Sequence, residues 1–402
     1  MPGLDSLAIY PKTDNQKSLG IRRLMTDERS RGIILQLLVL LAVFLFIAFI
    51  TSNTIANLQR VGLASGFGFL TDTAFFDINQ RLIEYTSQST FGRALVVGLL
   101  NTVLVSALGI VTATILGFIG GVLRLSDNWI VSRLVTGWVE FTRNVPLLLQ
   151  IIFWWAILTS LPKVRDSISI SGMAFLNNRG LRTPAPIFET GMEWVVAAFI
   201  FAVLLSVGIV RWARKRQDTT GKTFPTARAA ILLIIGIPLI VYFALGQPLT
   251  WDIPERTRFN FRGGFNITPE LIALWFALST YTGAFISEIV RAGIQSVSRG
   301  QSEAASALGL SKNQTMRLVI IPQALRVIIP PLTSQHLNLT KNSSLAIAIG
   351  YQDLVSIGGT ILNQSGQALE VVGIWMAVYL SLSLATSAFM NWYNKRIALV
   401  ER

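Results

Sequence analysis

Cysteine is absent from this 402-residue chain, which excludes a disulfide framework and a thiolate metal centre. Histidine occurs once, at His336, so most imidazole metal sites and His-based acid–base sets are excluded with it. Acids are scarce: 21 Asp and Glu stand against 34 Lys and Arg, a net charge of +13. Charged residues of both signs make up only 14% of the chain, while 52% is hydrophobic and the mean hydropathy is +0.55. A water-soluble globular domain carries about a quarter charged residues. The balance here points to a lipid solvent.

The long apolar runs agree. Segments near twenty residues reach across a ~30 Å hydrocarbon core as helices. Such segments fall at about 32–51, 94–123, 146–161, 194–210, 229–245, 269–290, 322–349 and 371–391. The fold class expected is therefore an all-α membrane protein of about eight transmembrane helices. Residues 1–31 are too long and polar for a signal peptide, so 32–51 reads as a retained first span. The stretches 163–192 and 246–267 are polar, Pro/Gly-punctuated and aromatic, and read as loops.

Charge fixes the orientation. With eight spans, the segments 1–31, 124–143, 211–228, 291–326 and 392–402 share one side and hold 23 Lys and Arg. The opposite segments hold 10, and Lys341 lies within a span. The positive-inside rule places both termini and the long 291–326 segment in the cytoplasm. Basic charge is thereby accounted for by topology, and no nucleic-acid partner is expected. Gly221-Lys222-Thr223 imitates the end of a phosphate-binding loop, but Arg216 stands where that motif needs glycine. No nucleotide site is visible in the chain.

The cytoplasmic segment 302–326 has the chemistry of two short helices with a bend. Gly309 can take the left-handed backbone that closes the first. Ser311 can cap the second, with Gln314 three residues on completing a capping box. Ala304, Ala305 and Ala307 offer a surface open to close approach, and Glu303 and Lys312 supply charge. In the seventh span, Gln335, Asn338 and Asn342 share a helical face with His336 and Lys341 flanking it. A lysine at mid-bilayer costs roughly 2.5–3.5 kcal/mol on insertion scales, so these groups face protein or water rather than lipid. Two readings remain open for them: the lining of a path for a zwitterionic solute, or hydrogen bonds between subunits. Asn101 and Gln150 are further polar candidates inside spans. Gly117 and Gly121 form a small-xxx-small pair that permits close helix contact, and Glu288 stands one turn from Arg291 for an ion pair.

Glu303-Ala304-Ala305, then Gly309, then Val319-Ile320-Ile321-Pro322 resembles the EAA loop of bacterial ABC-importer permeases. Phe141-Thr142-Arg143-Asn144-Val145-Pro146-Leu147-Leu148-Leu149-Gln150 is similar to a run in the polar amino-acid permeases. The blocks 91–160 and 265–402 carry the likeness; the first span and an inserted two-helix region at about 163–267 enlarge the core. This layout resembles the Q-type permease subunit of the general L-amino-acid ABC importers (Aap/Bzt type). The resemblance implies a MetI-like permease core at 91–402 in a bacterial inner membrane, and the EAA loop as the coupling element. It further implies a paralogous M-type permease, a dimer of ATP-binding subunits, a periplasmic solute-binding protein and an amino-acid substrate. ATP and Mg would sit on the ATPase partner, with no cofactor on this chain and no enzymatic activity. An ion-gradient-driven secondary amino-acid transporter is the alternative; it calls for buried coupling acids, of which the spans are nearly devoid.

Overall fold

The computed structural model describes residues 28–60, 66–257 and 260–397. Most of the expected cytoplasmic segment 1–31 and the end of the basic tail lie outside the described residues. The chain divides into two units, residues 1–69 with 362–370 and residues 70–361 with 371–402.

The first unit carries α1 (Glu28–Arg60). Its stretch Arg31–Thr54 has a mean hydropathy of 3.2 and buries nothing. A helix apolar all round and exposed all round is lipid-facing. At the far edge of this unit, the Gly66 N–H donates to Glu370 Oε1 at 2.8 Å.

The second unit is built on two long helices, α2 (Phe91–Leu123) and α7 (Pro269–Gln295). Each starts where local chemistry predicts: the Thr90 hydroxyl accepts from Arg93 N, and the Thr268 hydroxyl from Leu271 N, with Pro269 in the first turn. Their seam runs over glycine. A Cβ at Gly117 would overlap the Ile286 side chain, and one at Gly121 would lie 2.6 Å from Val290 Cβ. Such close approach is what a small-xxx-small face permits. Leu274, Leu278 and Ile286 of α7 then bury fully against Val105 and Ala113 of α2 and Ile328, Ile329 and Leu339 of α10 (Ile321–Asn342). Gly293 continues the seam, since a Cβ there would strike Ile328.

Two departures from expectation have physical causes. Residues 124–143, expected as a cytoplasmic connection, contain the helix α3 (Trp129–Asn144), capped by the Asn128 side chain on Ile130 N and Val131 N. It turns through 107° into α4 (Leu147–Thr159). Val145 is extended at φ −99°, ψ 127°, as a residue before proline prefers, and Pro146 sits at the N-cap of α4. At 13 residues, α4 is roughly 20 Å long and too short to span the bilayer alone. Among the described residues, seven helices are long and apolar enough to cross, or eight if this bent pair is one span.

The second departure is in the inserted region. Its two helices, α5 (Met192–Thr220) and α6 (Thr226–Ala244), are present, and Gly221 closes α5 at φ +69°, which is the ordinary role of the phosphate-loop mimic. The flanking stretches, expected as loops, form short strands. β1 (Ile168–Ile170), β2 (Ala174–Asn177), β3 (Gly180–Thr183) and β4 (Ala185–Phe188) precede α5. β5 (Leu249–Asp252), β6 (Glu255–Arg256), β7 (Phe261–Arg262) and β8 (Phe265–Ile267) follow α6. They pair as a four-stranded sheet β1-β2-β3-β8 and two ribbons, β4-β5 and β6-β7. The small antiparallel element thus joins the connection between α4 and α5 to the one between α6 and α7.

Overpacking a close-packed seam costs typically 1–3 kcal/mol. Gly117→Val is therefore expected to lower the thermal midpoint of the purified chain in detergent by several degrees. Gly236→Ala in α6, where nothing lies within 4 Å, leaves it unchanged.

Candidate functional site

On the basic side, α8 (Arg299–Ala307) ends at Leu308 and Gly309. Gly309 has φ +77°. Its N–H reaches Ser306 O at 2.9 Å while Leu310 N reaches Ala305 O at 3.1 Å, the paired closure of a Schellman motif. Ser311 then caps α9 (Lys312–Thr315), and Ser311 N in turn donates to Gln314 Oε1 at 2.9 Å. A π turn over Met316–Ile320 leads into α10 just before Pro322, whose missing N–H and bulky ring make an α-helical ladder unfavourable there.

This bent pair leaves its outer surface bare. Glu303, Ala304 and Ala307 are exposed, and Leu308 is 81% exposed. Ala305 turns inward at 4%, so it packs the hairpin rather than offering the approach surface expected of it. Lys312 lies 3.7 Å from Asp127, but both are solvated, and such a pair contributes little. Glu303 makes no ion pair among the described residues.

Near the ends of α2, α3 and α7, charges converge on Glu288. The Arg124 guanidinium, only 7% exposed, donates to Glu288 Oε2 at 2.5 Å, and Arg291 to Glu288 Oε1 at 2.5 Å. Glu140 lies 3.7 Å from Arg124, and Arg143 stacks over the Phe285 ring at 5.3 Å. The pairing of Glu288 with Arg291 is local and readable from spacing. Arg124, Glu140 and Arg143 join only through the packing of three helices, which no local signal announces.

The polar helix α10 separates its groups. His336 is buried, with Nε2 3.0 Å from Thr114 Oγ1 on α2. Gln335 and Asn342 are half-buried, and Asn338 and Lys341 are exposed on the face turned away from the core. None of these four side chains is hydrogen-bonded among the described residues. The structure does not bring Asn101 or Gln150 to that face. Asn101 Nδ2 donates to Gln80 O at 2.7 Å and Gln352 O at 2.9 Å, tying down the segments before α2 and after α10. Gln150 Nε2 donates to Thr142 O and Val145 O, each at 2.9 Å, and so holds the α3–α4 bend. Asp353 went unremarked in the sequence. It is fully buried, and its Oδ1 accepts Ser356 N at 2.9 Å to cap α11 (Leu354–Ser365).

Residues 219–399 match the family model described as the binding-protein-dependent transport system inner membrane component. The chain is 55% identical over 382 residues to the General L-amino acid transport system permease protein AapQ of Rhizobium johnstonii, covering 95% of this chain and 96% of that one. It is 52% identical over 374 residues to the putative amino-acid ABC transporter permease protein YhdX of Escherichia coli, covering 92% and 95%. Against the glutamate/glutamine/aspartate/asparagine transport system permease protein BztB of Rhodobacter capsulatus it is 45% identical over 413 residues, covering 94% and 96%.

Removing one partner of a buried pair strands the other charge, at roughly 3–5 kcal/mol when both are fully buried. Glu288 is 27% exposed on its side chain, so Glu288→Gln is expected to cost about 2 kcal/mol. Arg291→Gln, which removes the more solvated cation, is expected to cost under about 1 kcal/mol. Equal losses in denaturation midpoint would contradict Arg124 as the group that needs Glu288.

Proposed function

The chain belongs to the inner-membrane permeases of binding-protein-dependent ABC transport systems, and we propose that it forms half of the pathway of an ATP-driven amino-acid importer in a bacterial inner membrane. It is a transport component rather than an enzyme, and membership in this family sets aside the gradient-driven alternative. The other half of the pathway is a paralogous permease. ATP and Mg are held by a dimer of separate ATPase subunits, and an extracytoplasmic solute-binding protein delivers the amino acid.

The observation that carries this reading is the bare, doubly capped hairpin α8–Gly309–α9 on the cytoplasmic side of a chain with no phosphate loop. Leu308, Ala304 and Ala307 present a small apolar surface flanked by Glu303 and Lys312, fit for insertion into a cleft of the ATPase. Ser311 and Gly309 fix the shape of the insert. Because α8 is continuous in sequence with α7 on one side and α10 on the other, a displacement of the hairpin pulls on the two helices at the centre of the core. Closure and reopening of the ATPase pair through its nucleotide cycle would thereby shift the bundle between outward- and inward-facing, a change of population driven by the state of a partner. Asn338 and Lys341 face away from this chain's own core, flanked by the half-buried Gln335 and Asn342, and all four carry free donors or acceptors. That is where a solute passing between two permeases would meet them, with Lys341 opposite its carboxylate. His336, Asn101 and Gln150 support this path from behind, by holding helices in place.

Two measurements test the proposal. A β-branched residue at φ +77° is strained by about 1–3 kcal/mol, whereas Asn tolerates that backbone. In proteoliposomes with the ATPase and binding protein, Gly309→Val is expected to abolish most ATP-driven uptake, and Gly309→Asn to keep it. Full uptake by Gly309→Val would count against the coupling role. Lys341→Met is expected to raise the KM for the amino acid at least tenfold while the assembled complex survives. Loss of assembly instead would make this face a subunit interface.

A further inference from the structure

The extracytoplasmic element of the inserted region concentrates positive charge where the positive-inside rule disfavours it. Seven of the ten Lys and Arg on that side lie between residues 163 and 262. Four of them, Lys163, Arg165, Arg179 and Arg256, line one cavity of about 770 Å³, together with Asn178 and a single acid, Asp166. The volume falls within the range of small-molecule sites.

These cations come from three separate stretches of chain, held together by hydrogen bonds that each involve the backbone. The Arg179 N–H donates to Asn177 Oδ1 at 2.8 Å in the β2–β3 turn. Asn178 N reaches Pro162 O at 3.0 Å, which brings that turn against the start of the 3-10 turn at Val164–Asp166. Arg256 Nη1 donates to Arg165 O at 3.2 Å, which adds β6 as the third wall. None of the four cations is ion-paired among the described residues. Two of the acids in this element are engaged elsewhere: Asp252 Oδ2 accepts Gly264 N, and Glu189 accepts the Thr250 hydroxyl. Like charges gathered in this way repel one another and focus a positive potential into the cavity. Asn178 Oδ1 is buried with no hydrogen-bond partner, so the wall also lacks a donor. An adjoining cavity of about 200 Å³ shares Arg179 and adds Arg182 and the amides of Asn177, Asn260 and Asn266.

We propose that this cavity is an accessory binding site for a small multivalent organic anion: a molecule with two or three carboxylates and a hydroxyl or ammonium donor. The carboxylates meet the convergent Lys163, Arg165, Arg179 and Arg256, and the donor meets Asn178 Oδ1. The site lies in the inserted element rather than in the transmembrane bundle, so it stands apart from the solute path.

The test is titration calorimetry on the full-length chain in detergent with citrate, tricarballylate and L-glutamate. Citrate carries three carboxylates and a hydroxyl; tricarballylate is the same skeleton without the hydroxyl. Citrate is expected to bind saturably, at least threefold more tightly than tricarballylate, and to weaken at high salt as screening requires. Arg179→Ser with Arg256→Ser is expected to weaken citrate at least tenfold, while Arg262→Ser on β7 changes nothing. Denaturation midpoints within a degree of the parent confirm that the double variant is folded. Absence of saturable binding by all three probes overturns the proposal. So does binding indifferent to the double variant, or retention of a purified acidic binding protein on this face with no small anion bound.

Discussion

The close approach of α2 and α7 is the constraint on which the rest of the molecule depends. Lipid gives helices no hydrophobic reason to associate, so contact area has to come from van der Waals fit. Gly117 and Gly121 let Ile286 and Val290 lie against bare backbone, and Gly293 repeats the device for Ile328 of α10. Three helices are thereby locked at the centre. The Glu288 cluster closes their cytoplasmic end, and the Asn101 bridges tie the extracytoplasmic segments to α2.

Given that lock, the hairpin of the proposed coupling role is constrained in how it could act. It cannot bend freely, because a Schellman closure and a capping box define its corner. Nor can it slide past the bundle, because the helices on either side of it are the ones packed across the glycine seam. In the proposed function, a displacement of α8 would reach the core through α7 and α10, the helices on either side of it. The buried Ala305 packs the hairpin from within, while Leu308 stays exposed.

Local chemistry was legible in the sequence, and tertiary geometry was not. Gly309, Ser311 and Gln314 announce a corner because turn and cap preferences act over a few residues. Membrane spans were legible because bilayer thickness acts on composition. The α3 helix escaped because its polar, arginine-bearing stretch looks like any cytoplasmic connection. The strands escaped because each is two to four residues long and β3 finds its partner in β8, more than eighty residues away. Asn101 and Gln150 showed that a polar group inside a span was present, but not that each would bind backbone carbonyls. The family resemblance supplied the meaning of the Glu-Ala-Ala triplet, which its residues alone do not carry, and it did not foretell that Ala305 faces inward.

Because the chain has no cysteine of its own, one introduced thiol reports without background. Leu308→Cys in a complex assembled in bacterial membranes tests the central claim most directly. The account predicts that a membrane-impermeant maleimide fails to label it in intact cells, labels it in inverted vesicles stripped of ATPase, and is blocked when the ATPase is restored. Labelling from outside intact cells, or labelling in inverted vesicles that the ATPase does not diminish, would contradict it.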